Sequence, residues 1–239
     1  MFTNRLHYVV SMTKYFDDYE MAERHFSDPR LRLYLRQANG DRAAAVRLYI
    51  WNARLSASLL TDIGHLEVAL RNAIDSRMQL RHQSLNRPGD WLDDPTGELG
   101  RDRFGVGKHA QPYADIATAK RRVSENKKQL SHAQIISETP FGLWHQLVSK
   151  RWTSLWPDLA AAFPNATNRR RETISDPVTD IRSLRNRIGH HHRVWSLPYS
   201  KRHAQLLQVA EFIDTDLRNW IELNSAVPDL IANYPLPKP

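Results

Sequence analysis

The sequence predicts an all-α protein, a helical bundle built on long amphipathic helices. Three observations predict it. Between Pro29 and Pro88 there is no proline, and the only glycines are Gly40 and Gly64. Within that stretch Leu48, Trp51, Leu55 and Leu59 recur at three and four residues, as do Leu66, Leu70 and Ile74. That is one apolar stripe on a helical period. Nowhere does the chain show the alternate-residue patterning of a strand pair.

The elements follow in order. Gly40-Asp41 supplies a break and then an N-cap, so a helix starts there. Thr61, Asp62 and Gly64 lie mid-stripe and predict a kink or two abutting helices. Residues 84–111, rich in glycine and carrying Pro88 and Pro95, read as a long surface loop that is functional or mobile. A helix from about Tyr113 to Lys128 follows. Ser137-Glu138-Thr139-Pro140 opens another, with Trp144, Val148, Trp152 and Leu155 on one face. Asp176-Pro177 marks the next start, with Val178, Ile181, Leu184 and Ile188 as its stripe. The last long helix is expected from Tyr199 to about Leu223, with Leu206, Ala210, Ile213, Leu217 and Trp220 inward. The tail 234–239 is expected to fray. The whole chain, 1–239, reads as a single helical domain.

Composition narrows the function. The chain has no cysteine, which excludes disulfides, cysteine nucleophiles and cysteine-bound zinc. It also fits a reducing cytoplasm. The formal charge of +8 favours anionic partners, nucleic acid before membrane surfaces. No run approaches the roughly 20 apolar residues needed to span a bilayer. The start, MFTNRLHYVVSMTKYF, lacks the apolar core of a signal peptide. The expectation is a cytoplasmic protein that does not engage membranes.

The unusual stretch is Leu184 to Trp195, LRNRIGHHHRVW. Metal-independent RNA cleavage needs one group to take the proton of a 2′-hydroxyl and another to protonate the departing 5′-oxygen. It also needs a cation for the charged pentacoordinate phosphorus. Histidine titrates near neutrality, and arginine forks onto phosphate oxygens without losing its charge. An arginine five positions before a histidine puts both around one helix end. Gly189 stands where a helix could stop or backbone could pass close to another group. The triplet could also be a metal site, although adjacent histidines splay apart and no His-Glu-x-x-His pattern accompanies them. On composition alone a solvated basic turn without chemistry is the default reading, ahead of catalysis.

The same residues carry a resemblance. Arg185, the polar Asn186 and, after four intervening residues, His190 resemble the signature of HEPN proteins. More narrowly, RN, two residues, a small residue and then HH resembles the Abi-like (abortive infection) group. HLEVALRNAI (65–74), PFGLW (140–144), Leu155-Trp156 and FPN (163–165) fit that group in order and spacing. Gly189 stands where alanine is usual, and His192 where a glutamate or other polar residue is usual.

The resemblance implies a HEPN-type helical bundle that pairs as a homodimer, with the two motifs forming a composite site. It implies endoribonuclease activity that needs no cofactor or metal and leaves 2′,3′-cyclic phosphate and 5′-hydroxyl ends. The setting it implies is phage defence, or a toxin with a cognate antitoxin protein. Arg185 would hold the scissile phosphate and Asn186 orient it. His190 would move protons, with His191 as the alternative. Arg187, His192 and Arg193 would contact RNA. Lys127, Lys128, Arg169, Arg170 and Arg171 are further phosphate candidates, against the default of a solvated basic face. Glu67 and Arg71, four apart, read either as an ordinary ion pair or, with Asn72, as support for Arg185. Trp144, Trp152, Trp156 and Trp195 read as packing before base stacking. Two rivals stay open. One is an HEPN module that binds RNA or a partner without cutting. The other is a regulatory dimer that senses pH through its histidines.

Overall fold

The computed structural model describes residues 19–237. The reading of the first residues as lacking a leader, and the end of the tail, lie outside the described residues. Among the described residues there are eleven α-helices and no strand. The predicted fold class therefore holds at the level of all-α.

The axle is α3, Arg42–Ser84, an unbroken helix of 43 residues. At 1.5 Å per residue it is about 65 Å long. Asp41 caps it as expected, its side chain accepting from Ala44 N. The predicted kink at residues 61–64 is absent. Glycine inside a helix costs about 1 kcal/mol, but Leu59, Ile63, Leu66 and Leu70 are all fully buried around it. Burying one such side chain contributes about 1.5–3 kcal/mol, so the stripe outweighs the local breaker. Thr61 and Asp62 are satisfied inside the helix geometry. Thr61 Oγ1 donates to Ala57 O, and Asp62 Oδ2 accepts from Ser225 Oγ at 2.6 Å.

Two short helices, α1 (Tyr19–Phe26) and α2 (Asp28–Gln37), pack over the first half of α3. Phe26 stacks on Tyr49, and Tyr34 meets the same ring edge-on. The 84–111 segment is a loop, but a fastened one. It holds a single 3-10 turn, Trp91–Asp93, with Trp91, Leu92 and Leu99 buried. Glu98 accepts from Arg81 and Arg87, and Asp94 accepts the Leu99 and Arg101 amides. Residues 101–108 are exposed throughout, with Val106 98% exposed.

Then come α4 (Tyr113–Glu125), α5 (His132–Glu138), α6 (Phe141–Leu147) and the short α7 (Trp156–Leu159). Pro140 does precede a helix, but the stripe Trp144, Val148, Trp152, Leu155 is buried through a series of short turns rather than one helix. Trp144 and Trp152 are core; Trp156 is half-buried, stacks on Phe163 and donates to Arg169 O.

The helix α8 spans Arg171–Gly189, starting five residues before the predicted Asp176-Pro177 start. Pro177 sits inside it. The missing N–H forfeits one backbone bond, yet Ile174 extends the buried stripe upstream and carries the helix through. The predicted last helix is two. α9 (Tyr199–Ile213) ends where Asp214 becomes extended and caps α10 (Thr215–Asn224) through the Asp216 and Leu217 amides. Trp220 is consequently half exposed rather than inward. α11 (Val227–Ala232) closes the chain onto α3, and Trp51 donates to Leu230 O. The expected fraying does not begin at residue 234. Tyr234 meets Trp51 edge-on at 5.0 Å, and Leu236 packs on the core. No helix among the described residues is long and apolar enough to cross a membrane.

Candidate nucleic-acid site at the end of α8

The end of α8 is a tightly specified turn. Ile188 and Val194 are both buried, so the five residues between them must reverse over the surface. His192 N bonds Arg187 O at 2.8 Å, and His191 N bonds Ile188 O at 2.9 Å. This is the reciprocal pair of a Schellman motif. Its left-handed residue is His191, with φ of 54°. Gly189, the residue the sequence offers for such a conformation, is the last helical residue instead.

Three groups hold the turn. Asn52, buried on α3, accepts both the Val194 and the Trp195 amide at 2.7 and 3.0 Å. Arg30 of α2 donates to His191 O at 2.7 Å. Arg187 donates to Arg193 O at 3.1 Å. Trp195 is half-buried against Tyr34, in keeping with packing.

The turn presents His190, His191 and His192, all exposed, with the rings of His190 and His192 5.9 Å apart. Arg185 and Asn186 are exposed one turn earlier. Arg182, Arg185, Arg187 and Arg193 have no carboxylate within 4 Å among the described residues. The predicted residues divide between two faces. Arg185 and Asn186 line an open cavity of about 500 Å³ with Arg182, His145 and Asp115. His191, His192, Arg187 and Arg193 line another of about 530 Å³ with Arg30 and Tyr34. His190 borders neither. Five residues turn a helix by about 140°, whereas Asn186 and His190, four apart, stand nearly above one another.

Glu67 lies in the field of Arg185. Burial pushes its carboxyl up, and the charges of Arg185 and Arg71 pull it back. Arg71 reaches across to the Ile136 and Ser137 carbonyls at 3.4 Å. Asn72 is exposed and makes no hydrogen bond among the described residues.

The outlying basic candidates are unequal. Arg171 is bound to Ser175 and Glu172, and Lys128 lies 3.6 Å from Glu138. Lys127, Arg169 and Arg170 are exposed, and no carboxylate pairs with any of them among the described residues.

Sequence reasoning missed four residues here. Asn52 is detectable only as the lone amide beside an apolar stripe. Arg30 and Tyr34 come from a helix with no motif. His145 is the histidine that shares a cavity with Arg185. Burial and the charge of Arg182 push its pKa down, and its Nε2 lies 3.1 Å from Thr179 Oγ1.

Fold and site together define a class: an all-helical protein whose helix end carries arginines and histidines with no ion pair within 4 Å among the described residues. Compared with protein-family models, with curated proteins and with solved structures, the chain matches none.

Proposed function

We propose that this chain is a metal-independent endoribonuclease of the Abi-like HEPN type, acting in phage defence or with a cognate antitoxin. The observation that carries the reading is the cluster of arginines at the end of α8 that make no ion pair within 4 Å among the described residues. Arg81 and Arg87, by contrast, share Glu98, although other exposed arginines such as Arg169 and Arg170 are also without an ion pair among the described residues. Leaving four unpaired on one helix end favours phosphate as the missing partner.

In this mechanism Arg185 binds the non-bridging oxygens of the scissile phosphate, and Asn186 orients it. A histidine, His190 first, takes the 2′-hydroxyl proton as that oxygen attacks phosphorus. The P–O5′ bond breaks, and a second imidazolium gives its proton to the leaving 5′-oxygen. The products are a 2′,3′-cyclic phosphate and a 5′-hydroxyl. Arg185 and the histidine turn face different cavities within one protomer. Two protomers apposed through α8 would complete the site, each supplying what the other turns away. The same separation favours, as the second reading, a module that binds RNA without cutting it.

The test uses purified protein, total RNA and excess EDTA, with wild type beside His190→Ala. The expected result is cleavage by wild type to cyclic-phosphate ends and a loss of about 10²-fold or more in the variant. Wild-type turnover in a folded His190→Ala protein removes this assignment. Salt-sensitive binding of RNA that stays intact establishes the second reading instead.

A further inference from the structure

Two cavities meet between α2 and the histidine turn. The outer, about 530 Å³, is bordered by Arg30, Arg187 and Arg193. The inner, about 300 Å³, lies over α3 and shares Arg30, Tyr34, His191 and His192 with the outer one. Both volumes fall within the roughly 300–1,000 Å³ of small-ligand sites. No carboxylate lines either.

Their chemistry differs along the length. The outer part is cationic, and its arginines have donors to spare. Arg30 uses one on His191 O and Arg187 one on Arg193 O, out of five each. The inner part is walled by Tyr49, Ala53, Ala57 and Leu60. Tyr34 stands where the two meet. Burial and the neighbouring Tyr49 push its hydroxyl up to about 12, so it stays a neutral group at physiological pH.

The border is also strained. Ser27, at the start of α2, has φ of 72°, and His191 has φ of 54°. Both line the outer cavity. Non-glycine residues in such conformations persist where surrounding structure enforces them. At His191 the Schellman bonds set the conformation, and Arg30 on the His191 carbonyl ties α2 to the turn.

We infer that the joined cavities bind one nucleotide unit. Its phosphate sits on Arg30, Arg187 and Arg193, and its base enters the inner cavity against Tyr49 and the apolar wall of α3. An anionic head on a flat, largely apolar body is the shape these two halves accept together. The identity of the natural source rests on the RNA reading above. If the source is an RNA chain, Arg30 and the wall of α3 select the base beside the cut, using residues outside the α8 motif.

The experiment measures binding by calorimetry to the full chain in EDTA. The probes are 5′-AMP, 5′-CMP, ribose 5-phosphate and inorganic phosphate. At least one mononucleotide is expected to bind ten-fold or more tightly than ribose 5-phosphate. Ala57→Phe, an exposed helical position filling the inner cavity, should weaken that mononucleotide ten-fold or more and leave ribose 5-phosphate unchanged. Arg30→Gln, also exposed, should weaken both. Equal binding of ribose 5-phosphate and every mononucleotide overturns the inference. So does wild-type nucleotide affinity in a folded Ala57→Phe protein.

A short oligoribonucleotide competing with the mononucleotide decides the source. Displacement assigns the pocket to an RNA chain, and its absence assigns it to a free nucleotide. Cleavage without nucleotide binding would remove the pocket and leave the nuclease. Nucleotide binding without cleavage would do the reverse.

Discussion

Two histidine regions lie along α3, and they use their polar groups in opposite ways. Near its C-terminal half, His132 is held between two carboxylates. Its Nδ1 lies 2.6 Å from Asp90, and its Nε2 lies 3.0 Å from both oxygens of Asp75. Asp75 also accepts from Trp91 and Gln79. Arg81 and Arg87 share Glu98 nearby. About 35 Å away along the helix, Asn52 holds the turn that carries His190, His191 and His192. There no carboxylate lies within 4 Å of Arg182, Arg185, Arg187 or Arg193 among the described residues, and the histidines face solvent. In the first region the chain has supplied a partner for each charge, so the cluster is a fastening. In the second the ion-pair partners are missing, which is why an anion is proposed there. Partner satisfaction, more than residue type, separates the two sets of histidines.

The sharpest way to break this contrast is at Asn52. Replacing it with alanine leaves the Val194 and Trp195 amides without their acceptor. Each orphaned buried group costs about 1–3 kcal/mol, so Asn52→Ala should lose about 3 kcal/mol. For a chain of this size that lowers Tm by about 6–12 °C. RNA cleavage should fall further than stability, since the turn itself is released. A thermal melt with a parallel cleavage assay checks both. Unchanged cleavage at a temperature where the variant is folded would show that the turn's geometry does not matter to the chemistry.

His132→Ala tests the other region. It removes charge-assisted hydrogen bonds to two carboxylates, which predicts a loss of about 2 kcal/mol with cleavage unaltered. The loss should depend on pH. Burial opposes the charged imidazole, but the hydrogen bonds and charges of Asp75 and Asp90 outweigh it and raise the pKa above its ordinary value. A raised folded pKa means the native state binds the proton more tightly. The contribution is therefore complete below pH about 6.5 and fades as pH rises through the folded value. His145 runs the other way. Burial lowers its pKa, so its neutral form favours folding above pH about 6.5, and that contribution declines as pH falls. Denaturant melts of His132→Ala and wild type from pH 5 to 9 should converge at the alkaline end. A constant difference would mean that packing, not charge, carries His132.

How much of this was legible in the sequence follows the range of the interactions. The stripe of α3 is a local signal, and Leu48 through Ile74 are buried as their spacing predicts. The α8 stripe from Val178 to Ile188 is equally local and equally buried. Helix limits were less legible where two local signals compete. Gly64 and Pro177 both read as breaks, and both are overridden by burial that no window of a few residues contains. Asp214 had the opposite fate. Its capping signal stood in the sequence, but the apolar spacing from Leu206 to Trp220 read across it. At the site, Arg185, Asn186 and the histidines were legible as a motif. Arg30 and Asn52 were not, since they meet the turn 161 and 142 residues away along the chain. The three-dimensional partners of a motif are written in no spacing.

The smallest expected effect is the most informative about the turn. His191 adopts a left-handed conformation that costs a non-glycine residue about 1–2 kcal/mol, while glycine loses about 0.5–1 kcal/mol more chain entropy on folding. His191→Gly should therefore stabilise the protein by about 0.5 kcal/mol, or roughly 1–2 °C in Tm. If the turn were only structural, a more stable protein would cleave RNA as before. On the proposed reading the variant gains stability and loses activity, because His191 borders the phosphate cavity and supplies an imidazole there. That opposition of signs is the mark of strain kept for function. A melt and a cleavage assay on the same preparation read both signs at once, and a gain in both would return the histidine turn to the structural class occupied by His132.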